Sequence, residues 1–165
     1  MTLAARPASP DDAAILAQIY NEGIEDRVGT FETRPRTIQD VQAWFDGVHP
    51  IVVVEADGAI VAFASTSTYR GRDCYAGIAE FSVYVARRAR GQGAGTVAMR
   101  ALLDAVKPAG IWKLVSRIFV ENDASRRLMA SMGFREVGIY EKHARLDGRW
   151  RDVVIVERLI PENLT

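Results

Sequence analysis

The middle of the chain joins an apolar strand, a glycine-rich turn and a helix without interruption. Phe81, Val83 and Val85 alternate with other residues, which is the two-residue period of a strand with two different faces. Residues 90–96 then read Arg-Gly-Gln-Gly-Ala-Gly-Thr, and residues 96–106 have the apolar spacing of a helix. Glycines let a backbone approach an anion closely, and a helix N-terminus adds the positive end of its dipole. This order of elements predicts a phosphate-binding loop that opens a helix.

The spacing of the glycines distinguishes between the known kinds of phosphate loop. A P-loop requires Gly-Lys-Ser or Gly-Lys-Thr after its second glycine, whereas Gly95 is followed by Thr96 and Val97. A dinucleotide-binding loop requires Gly-x-Gly-x-x-Gly, but the third position after Gly93 is Thr96. The pattern that remains is Arg-x-x-Gly-x-Gly, which begins at Arg90 and resembles the acyl-CoA loop of the GNAT superfamily of acetyltransferases. A flexible glycine-rich turn is the plain structural alternative.

The rest of the sequence predicts a mixed α/β fold in a single domain, residues 1–165. Helices are expected after capping residues at Ser9, Thr37 and Asn122, in addition to residues 96–106. The first helix is expected to bury Ile15, Leu16, Ile19 and Tyr20. Strands are expected at residues 3–6, 51–54, 60–64, 81–85, 112–120, 136–146 and 149–159. The resemblance to the GNAT superfamily implies a mostly antiparallel twisted sheet, splayed between its fourth and fifth strands and flanked by helices.

Composition and charge restrict the classes of function. The 21 basic residues balance 21 acidic ones, whereas a nucleic-acid-binding domain generally has a net basic face, so we expect no nucleic-acid partner. No apolar run approaches the roughly 18 residues of a membrane span, so no membrane partner is expected. The single cysteine, Cys74, fits a reducing compartment, and the N-terminus lacks the apolar length of a signal peptide. We therefore predict a cytoplasmic protein, and we expect no metal because no cluster has metal-ligand spacing.

A second segment extends the resemblance. Residues 122–125 read Asn-Asp-Ala-Ser, and Gly133 and Phe134 follow; these are similar to the Asn-x-x-Ser and Gly-Phe signature of the GNAT superfamily. An N-capped helix with a glycine stop explains the same residues structurally. The resemblance implies acetyl-CoA as cosubstrate. The residues implied to bind it are Val83, Val85, Arg90, Gly91, Gln92, Gly93, Ala94, Gly95, Thr96, Asn122 and Ser125.

The resemblance covers nearly the whole chain and becomes more specific on the acceptor side. Residues 20–24, 30–35 and 44–45 resemble the opening of phosphinothricin and methionine sulfoximine N-acetyltransferases, and residues 69–72, Tyr75 and residues 80–85 match the same group. The final segment, residues 140–153, is most similar to the arsinothricin N-acetyltransferase branch. All three substrates are glutamate-like amino acids with a tetrahedral polar tail. The resemblance implies acetylation of the α-amino group of such an antimetabolite, which confers resistance, by a homodimer with acceptor sites near its interface.

An acidic amino acid needs cations, and arginine binds carboxylates in a bidentate way. Arg70 and Arg72 offer two guanidinium groups on one extended segment; a solvated loop pair is the alternative interpretation. By resemblance, Glu80 matches the general base that removes a proton from the acceptor amine, although a partnered structural carboxylate explains it as well. The aromatic residues expected to wall the pocket are Phe31, Tyr75 and Tyr84.

The group that protonates the departing thiolate stays open at this point. Phosphinothricin enzymes often carry a histidine where this chain has Met129, and Tyr84, Ser125 or a water molecule are the candidates to replace it. His143 is interpreted as a structural or interface residue. Two other functions keep the same loop: a generic amine or peptide acetyltransferase, and an acyl-CoA-binding sensor without catalysis. The presence of Glu80 favours an enzyme over the sensor.

Overall fold

A computed structural model describes residues 2–165, and a seven-stranded sheet forms its centre. The strands are β1 (Leu3–Pro7), β2 (Ile51–Ala56), β3 (Ala59–Thr68), β4 (Ile78–Val85), β5 (Lys113–Phe119), β6 (Arg135–Leu146) and β7 (Arg149–Leu159). The helices are α1 (Ala13–Asp26), α2 (Ile38–Gln42), α3 (Ala94–Val106) and α4 (Asp123–Ser131). The predicted mixed α/β fold is confirmed, in the predicted order of helices and strands.

The sheet is splayed between β4 and β5. Its strands lie in the order β1-β2-β3-β4-β5-β7-β6, and all neighbours are antiparallel except β4 and β5. This parallel pair is in register over only three residue pairs, from Ile78 with Lys113 to Glu80 with Val115. Beyond Glu80 the two strands separate and leave an opening in the middle of the sheet.

A close contact between Gly77 and Trp112 fixes the start of this parallel pair. The Trp112 N–H donates to the Gly77 carbonyl at 2.8 Å, and the Ile160 N–H donates to the Trp112 carbonyl at 2.8 Å. A Cβ atom on residue 77 would lie 1.9 Å from Cε3 of the Trp112 ring. Only glycine fits at this position, because the indole lies directly against the backbone that leads into β4.

The alternation of side chains along the strands divides the core between the two faces of the sheet. On one face, α3 contributes Met99 and Leu102, which pack with Phe81 and Leu114 from β4 and β5. On the other face, α1 and α2 cover a second cluster that includes Leu16, Val41, Phe63 and Tyr84. Because residues two apart on a strand share a face, Glu80 and Ser82 lie on the same face as Tyr84.

The first helix differs from the prediction in two details. Residues Pro10–Asp12 form a 3₁₀ turn, in which the Ser9 N–H donates to the Asp12 carboxylate at 2.9 Å, and α1 begins only at Ala13. Ile15, which was expected to be buried, is 41% exposed. The reason is helical geometry: position 15 is rotated by about 100° from the fully buried Leu16 and falls outside the apolar stripe.

Candidate active site

Three cavities meet where β4 and β5 separate. The glycine-loop cavity has a volume of about 390 Å³ and lies between the loop before α3 and the start of α4. The polar pocket has a volume of about 430 Å³ and lies beside β5, β6 and the segment after α1. The junction cavity, of about 70 Å³, shares residues with both of them. Gly29 and Tyr84 line all three, so the opening in the sheet connects one side of the site with the other.

Backbone groups dominate one end of the glycine-loop cavity. Gly91 and Gly93 have φ angles of +76° and +89°, a conformation that residues with a side chain rarely adopt. The first N–H groups of α3 have no carbonyl partner within the helix, as in every helix, and they follow this loop directly. Val83, Val85 and Leu128 provide apolar walls further along. The cavity therefore suits a molecule with phosphates at one end and a largely apolar arm at the other.

Most of the residues predicted to bind the cosubstrate line this cavity. They are Val83, Val85, Arg90, Gly91, Gly93, Gly95, Thr96, Asn122 and Ser125. Two predicted residues do not. The side chain of Gln92 is exposed, and Ala94 is buried in the core beneath α3, because the loop turns these two side chains away from the cavity.

The side chain of Asn122 is hydrogen-bonded to the protein at both ends. Its Oδ1 atom accepts from the Ser125 N–H at 3.2 Å, which caps α4, and its Nδ2 atom donates to the Val28 carbonyl at 2.9 Å. Asn122 thus ties the start of α4 to the segment after α1. The sequence predicts the cap, whereas the bond to Val28 crosses 94 residues of chain and has no local signal.

Arg90 faces an acidic partner at the rim of the glycine-loop cavity. Its Nη1 atom lies 2.6 Å from Oδ2 of Asp26 at the end of α1. Arg87 bonds to the same carboxylate at 2.9 Å and to Glu25 at 3.0 Å. Arg87 first and Arg90 second lower the pKa of Asp26 to about 2, so this carboxylate is ionised at neutral pH. These pairs fix the position of the loop relative to α1.

A carboxylate and a guanidinium meet in the polar pocket. Glu80 Oε1 accepts a hydrogen bond from Arg117 Nη2 at 2.6 Å, and both side chains are partly exposed, at 32% and 47%. Ser82, Ser116 and His143 add further polar groups to the lining. Arg117 is not among the residues predicted from the sequence. A charged residue within the apolar strand β5 is the one signal in the sequence that could have identified it.

Tyr84 is held in a fixed orientation between the cavities. Its ring packs against Tyr20 and Phe63 with ring centroids at 4.9 and 5.5 Å, and a Cβ atom on Gly23 would lie 2.9 Å from it. Burial first, and the neighbouring Tyr20 second, raise the pKa of Tyr84 well above its usual range. The phenol therefore stays protonated at neutral pH and presents a hydroxyl group at the junction.

The segment of residues 27–31 covers the junction from the α1 side. Arg27 Nε donates to Asp147 of the β6–β7 turn at 2.8 Å, and the ring of Phe31 packs edge-on against Phe119 at 5.0 Å. Together with the bond from Asn122 to Val28, these contacts fasten the segment to three separate parts of the fold. Phe31 thereby forms part of the lining of the polar pocket.

Comparisons with known proteins identify the family. The family model described as acetyltransferase (GNAT) matches residues 16–134, which is more than half of the chain. The chain belongs to the acetyltransferase (GNAT) family. The glycine loop, the splayed strands and the connected cavities all lie within or border the matched segment.

Relatives and solved structures extend the similarity over the full fold. This GNAT acetyltransferase is 34% identical over 160 residues to phosphinothricin N-acetyltransferase of Streptomyces coelicolor, with 93% of this chain and 94% of that protein covered. It is 29% identical to L-methionine sulfoximine/L-methionine sulfone acetyltransferase of Pseudomonas paraeruginosa, with 95% and 94% covered. A GNAT superfamily phosphinothricin acetyltransferase from Sinorhizobium meliloti, solved with acetyl-CoA, superposes with a TM-score of 0.89 at 27% identity, covering 96% and 89%.

These findings confirm three predictions: the family, the fold and the cosubstrate. The protein is an acetyl-CoA-dependent N-acetyltransferase. Within residues 2–165, none of the helices combines the length and the apolar composition needed to cross a membrane. The same residues contain no group of three or more His, Cys, Asp or Glu side chains arranged around a metal site.

Three predicted acceptor-binding residues of this acetyltransferase lie outside the polar pocket. Arg70, Arg72 and Tyr75 follow the end of β3, and the chain there packs on itself: the Arg70 guanidinium lies 5.1 Å from the centroid of the Tyr69 ring, which packs edge-on against Tyr75. The pKa of Arg70 is raised, first by its hydrogen bond with Tyr69, in keeping with this local packing. Within one chain, none of the three predicted residues lines the pocket.

His143, for which a structural or interface role is predicted, lies at the edge of the site. It belongs to the lining of the polar pocket, and its ring centroid lies 5.0 Å from Tyr140 and 6.4 Å from Phe31. The side chain is exposed. The predicted hairpin at residues 136–159 is present, but its alternating pattern gave no sign that one residue would turn towards the site.

Proposed function

We propose that this acetyltransferase acetylates the α-amino group of a glutamate-like antimetabolite and so confers resistance to it. The observation that carries the proposal is the polar pocket, which is lined by Glu80, Arg117 and Tyr84, and Tyr84 also lines the glycine-loop cavity. The names of two relatives, for phosphinothricin and for methionine sulfoximine, support this class of acceptor. The resemblance of residues 140–153 adds arsinothricin as a third candidate.

The glycine-loop cavity is proposed to hold acetyl-CoA, which supplies an acetyl group as a thioester. In this proposal the backbone of Gly91 and Gly93 and the N-terminus of α3 bind its pyrophosphate. Val83 and Val85 flank its pantetheine arm, while Asn122 acts through the bonds that hold α4 and residue 28 together.

Proton transfers are assigned to two residues on the same face of β4. Glu80 removes a proton from the acceptor ammonium, directly or through a water molecule. Tyr84 donates its hydroxyl proton to the departing sulfur; it is favoured over Ser125 because Tyr84 borders all three cavities and Ser125 borders two. Met129, which also borders the junction cavity, has no proton to give. Cys74 is exposed and lines none of the three cavities, so transfer is proposed to be direct, without an acyl-enzyme.

A homodimer in the cytoplasm completes the proposal. The outer edge of the sheet carries exposed apolar side chains on β6 and β7, including Ile139, Tyr140 and Trp150. An exposed edge strand of this kind suits contact with a second copy. Because Arg70 and Arg72 lie outside the pocket of their own chain, a role for them in acceptor binding requires movement of their loop or a contribution across such an interface.

The acceptor class is tested by measuring the release of free CoA with a panel of amines. We expect turnover with at least one of phosphinothricin, methionine sulfoximine and arsinothricin, with kcat/KM about 10²-fold or more above that for glutamate or a peptide amine. The pocket has polar groups for a tail oxygen, and an acceptor without a matching tail leaves them without a partner. Comparable turnover of the peptide amine would instead identify a generic acetyltransferase.

The glycine loop offers a test of the proposed acetyl-CoA site. We expect Gly93→Ala to raise the KM for acetyl-CoA about 10-fold, because a side chain at a φ of +89° costs on the order of 1–2 kcal/mol and turns the loop N–H groups out of line. The KM for the acceptor should change little. Gly58→Ala is the matched control: its φ is +84° in the β2–β3 turn, and nothing lies within 4 Å of a Cβ atom there. Equal acetyl-CoA KM values in the two variants would contradict the assignment.

A further inference from the structure

A bulge in β6 places His143 beside the polar pocket. After an earlier register shift between Glu136 and Gly138, pairing with β7 is regular from Gly138 with Ile155 to Tyr140 with Val153, and it resumes at Ala144 with Arg151. Three residues of β6, at positions 141–143, therefore lie opposite the single residue Asp152. Lys142 in the middle has a φ of +47°, and its N–H donates to Asp152 Oδ1 at 2.7 Å. Bulges redirect side chains and are frequent next to active sites.

The imidazole of His143 has aromatic neighbours but no polar partner among the described residues. Its contacts are the rings of Phe31 and Tyr140, and no hydrogen bond or ion pair within residues 2–165 uses its nitrogen atoms. The other histidine, His49, is bonded to the Asp46 carboxylate, and it lines none of the three cavities. His143 therefore has a free N–H donor at the wall of a pocket.

The position of His143 in the sheet sets the part of the acceptor that it can reach. In the order β4-β5-β7-β6, His143 lies three strands away from Glu80. The two residues are also offset along the strands, because Glu80 is level with Val115 and Glu157 whereas His143 lies opposite Asp152. The proposed function places the amine at the Glu80 end, because Glu80 is its general base. The side chain of the acceptor then extends towards β6.

We propose that His143 is a substrate-binding residue, whose imidazole N–H donates a hydrogen bond to the oxygen atoms of the acceptor tail at the end of the polar pocket opposite Glu80. This inference rests on the proposed function, since that function supplies an acceptor with a polar tail. His143 then contributes to the choice between an amino acid with an oxyanionic tail and one with an apolar tail. Phe31 and Tyr140 support the ring, and the bulge sets its direction.

The test compares two acceptors in His143→Phe, which keeps an aromatic ring against Phe31 and Tyr140 but removes the N–H group. With phosphinothricin we expect an increase in KM of about 10-fold and little change in kcat, the effect of losing one hydrogen bond to a charged group. With methionine, which shares the amino and carboxyl groups but has no oxygen in its tail, kcat/KM should stay unchanged. His143→Asn retains a donor and should recover part of the loss. His49→Phe is the matched control and should leave both acceptors unaffected.

A second readout does not depend on turnover. The chain contains two histidines, so the imidazole NMR signals fall into two sets that His49→Phe assigns. Adding phosphinothricin to the CoA complex should shift the His143 signals and leave those of His49 in place. Equal losses with both acceptors, or unmoved His143 signals in an enzyme that acetylates phosphinothricin, would overturn the role of His143 and leave the proposed function standing. No turnover of any antimetabolite by the unaltered enzyme would overturn the proposed function itself.

Discussion

Glu80→Gln should lower kcat for the acceptor by about 10²- to 10⁴-fold, the usual contribution of a positioned general base. The amide has nearly the shape of the carboxylate but does not take up a proton from the ammonium group of the acceptor. The KM for acetyl-CoA should stay within about twofold, because Glu80 lines the polar pocket and lies outside the glycine-loop cavity. Steady-state release of CoA measures both quantities.

The ion pair with Arg117 requires a control, because Glu80→Gln also weakens that contact of 2.6 Å. Arg117→Gln breaks the same pair and leaves the carboxylate in place, so we expect it to lower kcat less than about 10-fold. The deficit of Glu80→Gln should also shrink as the pH rises, since the solvent then supplies more of the unprotonated amine. Equal losses in the two variants, with no dependence on pH, would make the pair itself the important feature and remove the assignment of Glu80 as the base.

The cofactor side of the site is predictable from the sequence because its signals are local. Gly91 and Gly93 lie on the turn between a strand and a helix, and that turn determines both the loop and the helix N-terminus behind it. Asn122 caps α4 as the spacing to Ser125 predicts. The hairpin at Asp147 likewise follows from two adjacent residues, both with positive φ angles.

The acceptor side depends on contacts between segments that are distant in the sequence, and here the sequence predicts less. Arg117 reaches Glu80 only because β4 and β5 are parallel neighbours for three residue pairs. His143 reaches the pocket only because pairing between β6 and β7 shifts at a bulge. Arg70 and Arg72 have the residue type that an acidic acceptor needs, but the loop after β3 carries them outside the pocket of their own chain. Residue type predicts the kind of chemistry expected on this side, whereas the register of the strands decides which residues lie in the pocket.

Gly77→Ala should destabilise the fold by about 1–3 kcal/mol or more, the cost of forcing extra atoms into a packed contact. The added Cβ atom would lie 1.9 Å from the Trp112 ring, and neither side yields easily: backbone hydrogen bonds hold Gly77 to Trp112 and Trp112 to Ile160. Residue 77 lies three residues before Glu80, so any shift of it also displaces the start of β4. Thermal and denaturant unfolding measure the loss, with about 2–4 °C in Tm for each kcal/mol in a chain of this size.

Gly71→Ala is the matched control for this prediction, because it lies in the same connection between β3 and β4. A Cβ atom there meets nothing within 4 Å, so the free energy of unfolding should change by less than about 0.5 kcal/mol. Gly77→Ala should cost less stability in the Trp112→Leu variant than in the unaltered protein, since the smaller side chain leaves room for the methyl group. If Gly77→Ala and Gly71→Ala unfold at the same midpoint, the contact with Trp112 does not set the start of the parallel pair. The splay would then depend on the Glu80–Arg117 and Phe81–Ser116 contacts further along the strands.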